Sequence, residues 1–184
     1  MTVNILILFV VLFNLPVYAE PSSPKEIISQ IGDQFFKTEQ IKDFDTASEL
    51  FHYPSTYSPE ERAKDKIGVR SVLEYFNQSF GKILSYKIPE NTELYLALSI
   101  GGGDLPYWAK HPTSIRITYE VRFSNDGQGY VIIDLCKIND NYEIRSVHYG
   151  LPASRKDCPK RIQEIYDGMM KVLKALEQPN TKTV

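Results

Sequence analysis

The chain has 184 residues, 21 Lys plus Arg against 23 Asp plus Glu, a formal net charge of −2 with His neutral, and 12% aromatic residues. The charges are well mixed, which excludes a nucleic-acid surface of the usual kind, where basic groups cluster on one face. The aromatic content argues against disorder, and the length suits one domain with its own core.

Residues 1–19, MTVNILILFVVLFNLPVYA, read as an export signal. Ile5 to Phe13 is an unbroken apolar run, Pro16 interrupts it, and Val17-Tyr18-Ala19 resembles a signal-peptidase site. The run is too short to span a bilayer, which takes about 20 apolar residues. Met1 to Asn4 lacks Lys and Arg, so an uncleaved anchor stays open as the alternative. Cleavage places the protein in the periplasm or outside the cell, without stable membrane insertion.

Ser23-Pro24-Lys25-Glu26 is a capping box with Pro at the first helical position. Ile27, Ile28, Ile31 and Phe35 follow at helical spacing, so a first helix runs to about Lys37. A short second helix near Asp45 puts Phe44, Ala47, Leu50 and Phe51 on one face, and Pro54 ends it by Tyr53. Ser58-Pro59-Glu60-Glu61 opens a third, whose stripe of Val69, Val72, Leu73, Phe76 and Phe80 stops at Gly81.

The period then changes to two. Leu94 to Ile100 alternates, and Ile115, Ile117, Tyr119, Val121 and Phe123 alternate with Arg116, Thr118, Glu120 and Arg122. Asn125-Asp126-Gly127 is a hairpin signal, Tyr130 to Ile138 returns, and Asn139-Asp140-Asn141 turns into Tyr142 to Tyr149. A closing helix over 159–177 carries Ile162, Ile165, Tyr166, Met169, Val172, Leu173 and Leu176, and residues 178–184 fray. Three helices, antiparallel strands and a last helix describe one α+β domain over 20–177.

This element order, with the stretch FDTASELFHYP in helix two, resembles the NTF2-like superfamily over about residues 25–150. Ketosteroid isomerases and SnoaL-type cyclases share its cone, in which a bent antiparallel sheet wraps three helices. The helix after Cys158 is an addition to that cone. The resemblance implies a pocket at the open end, lined from the apolar face of the late strands. It also implies pairing into a homodimer through the sheet, for which the closing helix competes.

Strand parity then sorts the candidates. Odd residues of the Ile115 strand point inward, Tyr119 among them, as do Val131, Ile133 and Leu135; Asp134 and Cys136 point away. Ile144 and Tyr142 point inward, and His148 falls in step with them. An inward His at a strand end suits general acid or base work, although a histidine satisfied at the core's edge is the blander reading. Tyr119 is a donor into the cavity or simply packing. Asp134, opposite Arg116 and Arg122, suits a cross-strand ion pair. His52 and Tyr53 line the mouth or cap helix two.

Gly101-Gly102-Gly103-Asp104 lacks the Lys and Ser/Thr of a phosphate loop and precedes no helix, so it reads as a wide turn. Tyr107 and Trp108 on its tip either fold over the sheet end or anchor a ligand. The sequon Asn77-Gln78-Ser79 sits inside helix three and is discounted. Cys136 and Cys158 read as a disulfide closing a loop of roughly 23 residues, a contribution of roughly 3 kcal/mol, with two separately buried thiols as the alternative. No metal-ligand spacing and no cofactor motif stands out, and no catalytic residue is assigned, because the three late strands offer no acid on their apolar face.

Three functions follow. The first is an exported non-enzymatic module binding a small apolar ligand or a protein partner. The second is a small hydrolase or isomerase using His148; an acid within hydrogen-bonding reach of it favours this reading, and a pocket of Tyr, Phe and Ile favours binding. The third is a structural subunit of an envelope or secretion assembly, which calls for an exposed apolar patch of a few hundred Å².

Overall fold

A computed structural model describes residues 24–89, 95–101, 114–138 and 141–177. The export signal, the loop carrying Tyr107 and Trp108, and the tail 178–184 lie outside the described residues.

Helix α1 spans Pro24–Ile41, α2 Phe44–Glu49, α3 Pro59–Phe80 and α4 Cys158–Glu177. The strands are β1 Ile83–Lys87, β2 Tyr95–Gly101, β3 Ser114–Phe123, β4 Gly127–Ile138 and β5 Asn141–Pro152. They form one antiparallel sheet in the order β1-β3-β4-β5-β2, so the fold is α+β and consistent with a cone-like arrangement.

Local chemistry sets the helix ends. Ser58 and Glu61 close a reciprocal capping box at α3, which ends at Gly81 with φ 86°. Helix α1 runs one turn beyond the expected stop at Lys37 and turns out through Lys42, at φ 62°. Asp43 then caps α2 by accepting from the Thr46 amide. The β3–β4 connection is three residues long, since Phe123 pairs with Gly127, and Gly127 takes φ 73°.

Two features depart from the sequence reading. Strand β1 has no counterpart in it: the bulge between Ile83 and Ser85 breaks its alternation. A second bulge lies in β5, where Leu135 pairs with Ile144 but Asp134 pairs with Ser146, leaving Arg145 as the extra residue. The inward set of β5 therefore passes from Ile144 to Val147, Tyr149 and Leu151, all fully or almost fully buried in the main core.

That core is aromatic. Phe80 lies 5.0 Å from Phe123, Phe76 lies 5.0 Å from Tyr149, and Phe76 meets Phe80 at 5.7 Å, ring centre to ring centre. At the β1 side, Phe36 stacks on Tyr86 at 4.2 Å and meets Tyr119 edge-on at 4.8 Å. These rings line the space between α1, α3 and the sheet.

The expected disulfide is corrected: Cys136 and Cys158 are both free. Parity is the reason. Leu135 points into the core, so Cys136 points out of the other face, where its thiol approaches the Glu143 carbonyl. Cys158 starts α4 inside the main core and approaches the Leu151 carbonyl. The sheet lies between the two thiols.

Candidate functional site

The β5 bulge decides where His148 stands. Expected inside, it shares the outer sheet face with Ser146 and Asp134, because Arg145 takes the extra place and shifts every later side chain by one. Tyr119 does point inward and is buried among Phe36 and Tyr86. Burial, with Asp33 and Tyr86 nearby, pushes its phenol up to about 12, so it stays a neutral hydroxyl. His148 and Tyr119 therefore face opposite sides of the sheet and cannot serve one pocket.

On the outer face, Asp134 gathers three donors. Its carboxylate is fully buried and accepts from Arg116 Nε at 2.7 Å and Nη2 at 3.2 Å, and from Ser146 Oγ at 2.9 Å. His148 Nε2 lies 2.7 Å from Asp134 Oδ2. Burial pushes the Asp134 pKa up, but hydrogen bonds from His148, Arg116 and Ser146 outweigh it and hold the group below the ordinary aspartate value. Arg122, on the same face of β3, stands opposite Gln128 and away from Asp134.

Acid, histidine and serine together invite comparison with a nucleophilic triad, but the wiring differs. Ser146 Oγ is 3.3 Å from His148 Nε2, the same nitrogen that meets Asp134. A relay needs the acid on one ring nitrogen and the hydroxyl on the other. Here the Ser146 hydroxyl donates to Asp134 and is not activated. In the tautomer that donates from Nε2 to Asp134, Nδ1 keeps its lone pair and has no hydrogen bond among the described residues.

A second polar set lies inside. Glu39, near the end of α1, is fully buried with both carboxyl oxygens unpaired, and the buried Tyr149 hydroxyl is unpaired too. The two face each other closely enough to interact without reaching good hydrogen-bond geometry. Asn77 of α3 completes the set, its amide donating to the Glu39 main-chain oxygen at 3.4 Å. Burial raises the Glu39 carboxyl to about 8, against a smaller lowering by Tyr149 and Asn77, and pushes the Tyr149 phenol well above its ordinary range. Buried in this way, Asn77 is no glycan acceptor, as expected of that sequon.

No protein-family model and no curated protein matches the chain. Among solved structures it is similar to a single-substitution variant of Rv3472, a function unknown protein from Mycobacterium tuberculosis, at 11% identity and a TM-score of 0.43, over 86% of this chain and 93% of that one. It is also similar to Aln2 from a Streptomyces species, at 12% identity and a TM-score of 0.35, over 70% of this chain and 92% of that one.

Two further candidates, His52 and Tyr53, make contacts within the fold. His52 Nδ1 pairs with Glu143 Oε2 at 2.9 Å, and its amide donates to the Ile144 carbonyl, tying the exit of α2 to β5. Tyr53 is buried, donates to the Ser48 carbonyl at 2.9 Å, and carries Arg62 and Lys66 over its ring. The residue missed from sequence is Glu39. It stands four residues after Phe35 and eight after Ile31, an acid on the apolar stripe of α1, and that was the available signal. Among the described residues no cluster of His, Cys, Asp or Glu could hold a metal ion, and no helix is long and apolar enough to cross a membrane.

Proposed function

We propose that this protein is an exported binding module of NTF2-like type that engages a protein partner along the outer sheet face and the β1 edge. The single observation that carries this reading is the aromatic interior: Phe35, Phe36, Phe76, Phe80, Phe123 and Tyr149 are all almost fully buried in one core, Phe35 against Phe36 and the other four ring to ring. A small apolar ligand would have to displace this packing, which is dense in folded interiors. Strand β1, by contrast, is outermost in the sheet and exposes Leu84 at 52%, with Ile88 just beyond it at 65%. Beside it runs an open groove lined by Ser85, Lys87, Glu120, Arg122 and Gln128. An outermost strand offers unpaired main-chain groups to an extended segment of another chain, and flanking apolar and charged side chains supply selectivity.

Photo-crosslinking in the native host tests this. A photoreactive residue at Leu84 should give one discrete protein adduct, and the same residue at Ile67, exposed on α3, should not. Equal labelling from both positions contradicts the reading.

The contact between Asp134 and His148 favours a second reading, a hydrolase or isomerase with His148 as general base. Asp134 would orient the ring, leaving Nδ1 to take a proton. Turnover of an ester or enolisable ketone that disappears in His148→Gln would support it.

A further inference from the structure

Among the described residues, Glu39 is a fully buried acid outside the outer-face network whose two carboxyl oxygens lack a well-formed hydrogen bond. Its environment can be stated element by element. From β5 it faces Tyr149; from α3 it faces Asn77; within its own chain turn, the Lys42 amide donates to its carbonyl at 3.2 Å. Tyr149 is the only titratable group among these. No cation faces the carboxyl among the described residues, and the lowering by Tyr149 and Asn77 offsets only part of what burial costs a negative charge.

A protonated carboxyl tolerates such a place at modest cost, whereas an unpaired carboxylate in apolar surroundings is far more expensive. Ionisation therefore forces water in or the side chain out. The segment that must move is short. Glu39 lies in the last turn of α1, next to Thr38, whose hydroxyl is already bonded to the Phe35 carbonyl. Phe35 and Phe36 in the preceding turn are fully buried against the aromatic core, so lifting this turn opens the interior.

We propose that Glu39 is a proton-operated latch: protonated, it lets the last two turns of α1 stay seated on β5 and α3, and loss of the proton lifts those turns and admits water to the aromatic interior. The sign follows from the raised folded-state value. The closed state binds the proton more tightly than the open one, so the latch holds fully below the ordinary glutamate range and is lost as pH rises toward about 8. Between those limits each pH unit raises the opening equilibrium about tenfold.

Hydrogen exchange of the full chain, expressed as protection relative to intrinsic rates, tests the latch between pH 5.5 and 7.5. In the native protein, amides of residues 35–41 should lose protection about tenfold per pH unit, while those of Val131 to Ile133 in β4 should not. Glu39→Gln keeps the shape of the neutral acid and cannot ionise, and should flatten the response. Tyr149→Phe keeps the acid and should retain the slope. A flat response in the native protein or in Tyr149→Phe, or an unchanged slope in Glu39→Gln, overturns the latch.

Discussion

Asp134 and His148 sit on neighbouring strands with Oδ2 and Nε2 2.7 Å apart, on the face of the sheet turned away from the helices. The carboxylate is entirely buried, yet its partner Arg116 is half exposed. Such a pair holds a charge in place because every oxygen is met by a donor, and removing the acid strands the donors.

Asp134→Ala should therefore cost about 3 kcal/mol in urea unfolding, the lower end for a broken buried pair because Arg116 can turn to water. Ser146→Ala removes one neutral donor and should cost about 1 kcal/mol. The acid side carries a second signature. With the folded-state pKa held below the ordinary aspartate value, this contribution is present at neutral pH and is lost as pH falls through and below that range. In Asp134→Ala this part of the acid-side decline should vanish.

A second buried acid fastens α4 to the rest. Asp126, in the β3–β4 turn, meets Arg155 Nη1 at 3.1 Å and Arg161 Nη2 at 3.0 Å, and Arg161 also donates to the Ser79 carbonyl at the end of α3. Asp126→Ala should destabilise by about 2–4 kcal/mol, since it leaves two guanidinium groups without their shared partner. Amide protection in α4 should fall before that in β4. A loss below about 0.5 kcal/mol would mean that apolar contacts of Ile165 and Met169 alone hold the helix.

Two glycines of the α3 region should respond in opposite directions. Gly81 takes φ 86°, and a Cβ there would come within 2.6 Å of the Asn125 amide nitrogen, so Gly81→Ala should cost about 2 kcal/mol. Gly68 lies mid-helix with nothing within 4 Å of the place a Cβ would take, so Gly68→Ala should gain about 0.5–1 kcal/mol. Paired thermal melts read both.

The cysteines give a chemical check. Denatured protein should titrate two free thiols, and a reductant should leave the melting temperature unchanged. Blocked thiols together with a melting temperature lowered by reductant would contradict the opposite-face placement.

Much of this fold was written in periodicity. The stripe of α3 and the alternation of β3 survive because burial on one face leaves a repeating mark, whereas Tyr166 and Leu176 of the expected α4 stripe lie exposed and β4 is buried on both faces from Tyr130 to Cys136. What escaped reading were the breaks in period. The bulge at Ile83/Ser85 hid β1, and the extra Arg145 turned His148 from the expected interior to the outer face. A single inserted residue is invisible in composition but reverses every side chain after it. The cysteine pair failed for a related reason: counting thiols says nothing about which side of a sheet each occupies. Glu39 was legible as an acid on an apolar stripe, but Tyr149 and Asn77, which face it, come from elements far along the chain.

Native mass spectrometry of the protein purified from its own host tests the central claim most directly. A packed interior with recognition on the outer face predicts the bare chain mass, or that mass joined to a protein partner, with no small molecule retained. An apolar compound of a few hundred daltons retained at one per chain would contradict it.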